Sequence, residues 1–231
     1  MSAPFRHGPP RGVAAVACYE RPTVRFDAIV FDLDGTLWDT CETCATAWNE
    51  VLARLAITYR TITAADVRVI AGQPHMEAIR QAFPGLAEND LVRLADETAI
   101  ADNEGVARDG GILYPGVREH VPALARRLPL LIVSNCQQGY IETFLTWSGL
   151  GAHFTDFECW GNTGRTKAEN LGAVIARNKL RAPCFVGDTE GDRSAAEANG
   201  VPFVYASYGF GTVARYDHRI DRFADVPALI D

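Results

Sequence analysis

Hydrophobic positions follow two patterns along the chain, and these patterns predict its elements. Uninterrupted apolar runs are typical of strands that a sheet buries on both faces. Such runs occur at Ala28–Phe31, Leu130–Val133, Cys184–Val186 and Pro202–Ala206, and a shorter strand is expected near Phe157–Trp160. Between the later strands, apolar residues recur every three or four positions, which indicates amphipathic helices. This alternation predicts an α/β fold, a Rossmann-like parallel sheet with helices on both faces.

The segment between the first two strands has a different pattern. Residues 40–112 show helical stripes and no convincing strand. Within them, Thr63 and Asp66 have the spacing of a capping box, and Pro74 can open a helix after a break at Gly72. We therefore predict a flexible leader, an α/β core and an inserted all-helical domain, with the boundaries 1–25 for the leader, 26–39 and 113–231 for the core, and 40–112 for the insertion.

Composition and charge limit the classes of partner. The chain has 231 residues, of which 48% are hydrophobic, enough for a sizeable core. No apolar run is long enough to cross a bilayer, so no membrane partner is expected. The formal net charge of −7 argues against nucleic acid, which needs a basic surface. A monomer and a homodimer both stay open.

The cysteines indicate a reducing compartment. Six are scattered through the chain, several in apolar or helical contexts, which favours buried thiols in a cytoplasmic protein. Cys41 and Cys44 form the one closely spaced pair. No second Cys or His pair completes a zinc site, and no strand precedes them as in a thioredoxin-like motif. We interpret both as structural or incidental thiols.

Polar groups follow the predicted strands at their carboxyl ends or lie at a nearby helix start, and ligands bind at this edge in open parallel sheets. Each group alone has an ordinary alternative, such as a helix cap, a turn acid or a surface lysine. Their joint placement at one sheet edge favours a shared site. The residues concerned are Asp32, Asp34, Thr36, Ser134, Asn135, Lys167, Asp188 and Asp192.

These residues resemble the signature of the haloacid dehalogenase superfamily, and the resemblance extends over nearly everything from Phe26 onwards. The helical insertion resembles the small cap of phosphoglycolate phosphatase-like members. One departure is visible, because the motif lysine is commonly followed by proline and here by Ala168. The resemblance rests on four motifs, at Asp32–Thr36, Val133–Asn135, Lys167 and Gly187–Asp192.

The resemblance implies a phosphatase that hydrolyses a small phosphorylated metabolite through an aspartyl-phosphate intermediate. Asp32 would be the nucleophile, and Asp34 would protonate the leaving alcohol and then activate water. Ser134 and Lys167 would hold the phosphoryl oxygens. Thr36 and Asn135 are further candidates for substrate binding.

The resemblance also implies Mg²⁺ as the cofactor, since phosphoryl transfer needs strong neutralisation of negative charge. Its expected ligands are Asp32, the backbone carbonyl of Asp34, and Asp188. Asp192 would hold a water of the ion or anchor Lys167.

The insertion is expected to select the substrate. Gln73 and His75 follow the break at Gly72 and are candidates to face the site. His75 resembles in position a substrate-contacting residue of related caps. The alternative is a surface histidine without a role.

Several other functions share parts of this pattern. A phosphotransferase or mutase acting on a sugar phosphate would keep every motif, and a non-catalytic phospho-ligand-binding protein is a further alternative. A dehalogenase is disfavoured because that branch does without the Asp34 acid. A phosphonate hydrolase needs a cap lysine, and residues 40–112 contain none. The large insertion and Asp34 argue against a phospho-acceptor signalling domain.

Overall fold

The computed structural model describes residues 26–230, and a six-stranded sheet in which every pairing is parallel forms its centre. The strands in chain order are β1 (Ala28–Phe31), β2 (Trp38–Asp39), β3 (Ile112–Leu113), β4 (Leu130–Ser134), β5 (Asp156–Cys159), β6 (Pro183–Gly187), β7 (Phe203–Ala206) and β8 (His218–Ile220). The order in the sheet is β5-β4-β1-β6-β7-β8, while β2 and β3 form a separate antiparallel pair.

Both faces of the sheet are covered, which explains the uninterrupted apolar runs. Side chains of a strand point alternately to the two faces. In β1, Ile29 and Phe31 pack into one hydrophobic cluster, whereas Ala28 and Val30 pack into another. Since both sets are fully buried, no position of β1 can be polar without a cost in desolvation. The acids that directly follow β1 therefore stand out.

Nine α-helices lie within the described residues, and none of them is long and apolar enough to span a membrane. Two 3₁₀ helices cover Gly151–His153 and Phe223–Leu229. The α-helices in chain order are α1 (Cys41–Arg54), α2 (Ala64–Ile70), α3 (His75–Ala82), α4 (Glu88–Arg108), α5 (Val117–Ala125), α6 (Tyr140–Ser148), α7 (Trp160–Thr163), α8 (Lys167–Arg177) and α9 (Glu190–Ala198).

Helices α1–α4, which we call the cap, pack around a hydrophobic cluster of their own. The chain enters the cap after β2 and leaves it before β3, and the pairing of these strands brings entry and exit together. This arrangement supports an inserted helical unit. The domain boundaries themselves stay a prediction, and the predicted leader over residues 1–25 lies outside the described residues, as does Cys18.

The short elements β2, β3, α7 and β8 were not expected from the sequence, and helix α5 contains a proline. Pro122 lies inside α5, where it removes one backbone hydrogen bond. The helix persists because Val117, Val121 and Leu124 are buried beside the sheet. Strand β8 was not expected, since its residues His218 and Arg219 are exposed and carry no apolar run. All five cysteines in the described part of the chain are free and buried, as expected.

Candidate active site

Asp32 lies directly after β1 and is almost fully buried. Its Oδ1 accepts a hydrogen bond of 2.7 Å from Lys167 Nζ, whereas its buried Oδ2 has no hydrogen-bond partner. Burial raises the pKa of Asp32 well above its ordinary value, against the lowering effect of Lys167. One oxygen is thus held in place while the other is left without a partner, as a nucleophile or metal ligand requires.

Lys167 is the first residue of α8, and the capping box of Thr166 and Glu169 fixes the start of that helix. Its buried ammonium lies 2.7 Å from both Asp32 Oδ1 and Asp192 Oδ1. Burial alone would lower the pKa of Lys167, but the two carboxylates outweigh it and raise the pKa above its ordinary value. The lysine is therefore a fixed cation beside Asp32. The proline common at the next position is not needed for this placement.

Asp192, in the first turn of α9, is fully buried and anchors Lys167. Its Oδ2 accepts hydrogen bonds from the backbone N–H of Asp188 at 3.1 Å and of Thr189 at 2.9 Å, and from the Thr189 hydroxyl at 2.7 Å. Since Oδ1 binds Lys167, both oxygens are engaged. Of the two roles expected for Asp192, the geometry favours the anchor.

Asp188 follows β6 and faces the loop after β7. Its Oδ2 accepts from the N–H of Phe210 at 2.7 Å, and its Oδ1 accepts from Thr36 Oγ1 at 3.3 Å. Burial and the neighbouring Asp192 raise the pKa of Asp188 to about 7. A Cβ at Gly35 or Gly209 would collide with this carboxylate, so both glycines are required by close approach. Thr36 therefore supports Asp188, whereas its predicted contact with substrate stays a prediction.

The three carboxylates of Asp32, Asp188 and Asp192 meet at one point, with an oxygen of each within 4.8 Å of the others. A hard divalent cation such as Mg²⁺ prefers oxygen ligands of this kind. The unpartnered Oδ2 of Asp32 and the raised pKa of Asp188 both indicate negative charge that lacks a counterion. Asp32 and Asp188 thus fit Mg²⁺ as ligands, whereas both oxygens of Asp192 are engaged, and the carbonyl of Asp34 stays a predicted ligand.

Asp34 lies two residues after Asp32 and is held by two hydroxyls, neither of which could be selected from local sequence. Its Oδ1 accepts from Tyr140 Oη at 3.1 Å and from Thr40 Oγ1 at 3.2 Å. Burial raises the pKa of Asp34 to about 6, and these hydrogen bonds oppose the rise. A carboxyl group that titrates near neutrality can both donate and accept a proton.

Asp32, Asp34, Ser134 and Asn135 line a cleft between the sheet edge and the cap. Ser134 ends β4, and its Oγ accepts from the N–H of Cys136 at 3.3 Å. Asn135 donates to the carbonyl of Gly72 at 2.8 Å and thereby joins core to cap, while its buried Oδ1 has no partner. The Ser134 hydroxyl hydrogen and the second hydrogen on Asn135 Nδ2 are available to donate to oxygens in the cleft, whereas Asn135 Oδ1 can only accept.

Gln73 and His75 also line the cleft, yet their side chains are engaged within the cap. Gln73 donates to Gln81 at 2.7 Å and is exposed, which weakens its candidacy. The His75 side chain is only 10% exposed and lies 2.9 Å from Thr98 Oγ1. Burial lowers its pKa to about 4. His75 is therefore a neutral, buried group rather than a surface histidine.

Asp102 of α4 lines the same cleft and was missed by the sequence reasoning. It is 3% exposed, and its Oδ1 accepts from Trp48 Nε1 at 2.9 Å. Its position in the sequence could have revealed it, because the spacing of Asp102 continues the buried stripe of Leu94, Ala95 and Thr98. An acid on an apolar helix stripe is costly and points to a site.

Comparison with known proteins places this geometry in a family. The model of the haloacid dehalogenase-like hydrolase family matches residues 29–206. The chain belongs to the haloacid dehalogenase-like hydrolase family. All four motif positions fall inside the matched range.

Relatives and solved structures of this hydrolase agree with that assignment. A phosphoglycolate phosphatase of Pseudomonas syringae pv. syringae is 29% identical over 203 residues, covering 79% of this chain and 70% of the relative. One of Agrobacterium fabrum is 27% identical over 219 residues, covering 87% and 91%. A predicted phosphoglycolate phosphatase from Haemophilus somnus has the same fold, with a TM-score of 0.79, 22% identity, and coverage of 89% and 98%.

These findings confirm three sequence-based predictions: the superfamily, the α/β fold with a parallel sheet, and an enzyme of the hydrolase class acting as a phosphatase. The structure also brings the predicted core residues together at one sheet edge. Their individual roles stay predictions.

Proposed function

We propose that the protein is a magnesium-dependent phosphatase that hydrolyses small phosphate monoesters through an aspartyl-phosphate on Asp32. The observation that carries the proposal is the state of the Asp32 carboxylate. Its Oδ1 is held by Lys167, and its buried Oδ2 is unpartnered beside Asp34 in the cleft. The relatives' names make 2-phosphoglycolate the first natural substrate to assay.

In the first step, Asp32 Oδ2 forms a bond to phosphorus while the bond from phosphorus to the ester oxygen breaks. Asp34 gives its proton to that departing oxygen, so that the alcohol leaves neutral. Lys167 keeps Asp32 in position, and Ser134 and Asn135 donate to the phosphoryl oxygens. A positioned proton donor of this kind is worth roughly 10²–10⁴ in rate.

In the second step, Asp34 accepts a proton from water, and the water oxygen bonds to phosphorus. The bond from phosphorus to Asp32 breaks, which releases phosphate and restores both carboxyl groups. Mg²⁺ held by Asp32, Asp188 and the carbonyl of Asp34 would neutralise charge on the transferring group. Asp192 acts through Lys167, whose ammonium it holds at 2.7 Å.

The variant Asp32→Asn tests the assignment of the nucleophile. It keeps the shape of the side chain but removes the attacking carboxylate, so hydrolysis of an aryl phosphate with magnesium should fall by at least ~10³-fold. Asp96→Asn, the same change at an exposed position of α4, is the matched control and should retain activity. Turnover by Asp32→Asn near that of the control would assign the attack to another group.

A further inference from the structure

The cap side of the cleft carries hydrogen-bond acceptors and no fixed cation. Among the described residues that line the cleft, Asp32, Asp34 and Asp102 are acidic, and none is a lysine or an arginine. Asp32 and Asp34 serve the phosphoryl group in the proposed function. Asp102 lies on α4 and is a buried acid, and the proposed reaction at phosphorus assigns no role to it.

Asp102 and His75 present neighbouring polar atoms to the cleft. The Thr98 hydroxyl donates to the carbonyl of Leu94 at 2.6 Å, so the ring Nε2 of His75 must donate to Thr98 Oγ1. The other nitrogen, Nδ1, is then an acceptor, since burial keeps the ring neutral by lowering its pKa to about 4. It lies 3.9 Å from Asp102 Oδ2, too far for a direct hydrogen bond.

A second anion in the substrate would find little compensation in this part of the cleft. Arg68 lies over the ring of Phe210, a lining residue, but Asp39 holds its guanidinium at 2.6 Å. The N-terminus of α3 offers only about half a positive charge, and its first turn contains Glu77. Burial raises the pKa of Asp102 to about 8. A proton on Asp102 removes repulsion, yet it does not supply the countercharge that an anion needs.

We propose that the leaving group of the substrate is an uncharged, hydroxyl-bearing alcohol, and that Asp102 Oδ2 and His75 Nδ1 select it against esters that carry a carboxylate. The inference rests on the proposed phosphatase function and specifies its substrate class. A hydroxyl can donate to His75 Nδ1, and it can pair with Asp102 as donor or acceptor in either protonation state, without bringing a charge. A carboxylate in the same place would be buried without a partner of opposite charge.

Two substrates of matched size test the inference directly. In 2-phosphoglycolate the ester carbon bears a carboxylate, and in 2-hydroxyethyl phosphate it bears a hydroxymethyl group. With the full chain and magnesium, kcat/KM for 2-hydroxyethyl phosphate should exceed that for 2-phosphoglycolate by at least ~10-fold, the effect of one poorly compensated charge. Equal values, or a preference for 2-phosphoglycolate, would overturn the inference.

Variants of Asp102 and His75 then test whether these residues cause the preference between the two esters. Asp102→Asn replaces a carboxyl group that ionises near pH 8 with an amide that stays neutral and can donate to a carboxylate, so above pH 8 the ratio of the two kcat/KM values should fall by at least ~5-fold, mainly through KM. Glu104→Gln removes a charge at an exposed position of the same helix and should leave the ratio unchanged. His75→Gln provides a second variant should Asp102→Asn fail to fold, and its ratio should also fall. An unchanged ratio in the folded variants would contradict the role of these two residues.

An aryl phosphate assayed in parallel separates this inference from the function on which it rests. If the aryl ester is hydrolysed but 2-phosphoglycolate is preferred, only the substrate class is wrong. If neither the aryl ester nor the two alkyl esters is hydrolysed, the phosphatase proposal fails and the inference falls with it.

Discussion

At the scale of single residues, local sequence reveals a functional side chain only where its context is unusual. Asp32 stands out because it follows four fully buried apolar residues. Tyr140 gives no such signal, since an aromatic at a helix start is ordinary and its bond to Asp34 joins residues 106 positions apart. Asp102 lies between these cases, because an acid on the buried stripe of α4 can be recognised from spacing.

Buried His75 predicts a dependence of stability on pH. Its folded pKa of about 4 lies below the ordinary value of 6.5, so the folded state favours the neutral ring. The stabilisation is fully present above pH 6.5 and is lost as pH falls towards 4. When the pH is lowered from 7.5 to 5, the unfolding free energy of the unmodified protein should fall by about 2 kcal/mol more than that of His75→Gln. Urea unfolding at both pH values measures this difference.

An ion pair between His75 and Asp102 would give the opposite dependence of stability on pH. If protonated His75 formed an ion pair with Asp102, acid would stabilise the unmodified protein relative to His75→Gln. The separation of 3.9 Å and the burial of both groups argue against such a pair.

At the scale of elements, apolar runs and capping residues are the features that sequence predicts well. The predicted capping box of Thr63 and Asp66 agrees with the structure, where it begins α2. Strand β8 could not be predicted, because only Ile220 of its three residues is buried and its pairing with β7 is set by tertiary contacts. Helix α5 forms around Pro122 because packing outweighs one missing hydrogen bond.

The capping box of α8 should matter for activity as well as stability. Thr166→Ala removes the hydroxyl that accepts from the N–H of Glu169, which should cost about 1 kcal/mol and loosen the helix start that carries Lys167. Thr63→Ala removes the equivalent cap of α2 and is the matched control. Both variants should unfold more easily, whereas only Thr166→Ala should lower kcat on an aryl phosphate. Equal kcat losses would mean that the cap of α8 has no specific role in placing Lys167.

At the scale of the whole molecule, the sheet order brings distant segments together. Strands β4 and β6 flank β1, so the groups after all three strands meet at one edge. This convergence could be predicted, because parallel strands place their carboxyl ends together. The contacts across the cleft could not be predicted from the sequence. The bond from Asn135 to Gly72 and the orientation of Asp102 depend on how the cap docks, which no local pattern encodes.

Convergence of carboxylates predicts that magnesium stabilises the folded chain. An ion that binds only the folded state raises stability by about 2.7 kcal/mol at 100 times its Kd. Thermal unfolding of the metal-depleted protein should therefore shift upwards as magnesium is added. Asp188→Asn should abolish that shift, and Asp96→Asn should retain it. A shift of equal size in Asp188→Asn would place the ion elsewhere.

The central claim is that the phosphoryl group passes through Asp32, and the mass of the acid-quenched enzyme tests it most directly. During turnover of an aryl phosphate with magnesium, a fraction of the protein should gain the mass of one phosphoryl group. Peptide mapping should place that group on Asp32, and Asp32→Asn should show none. A fully active enzyme that never carries the added mass, or carries it on another residue, would contradict the account.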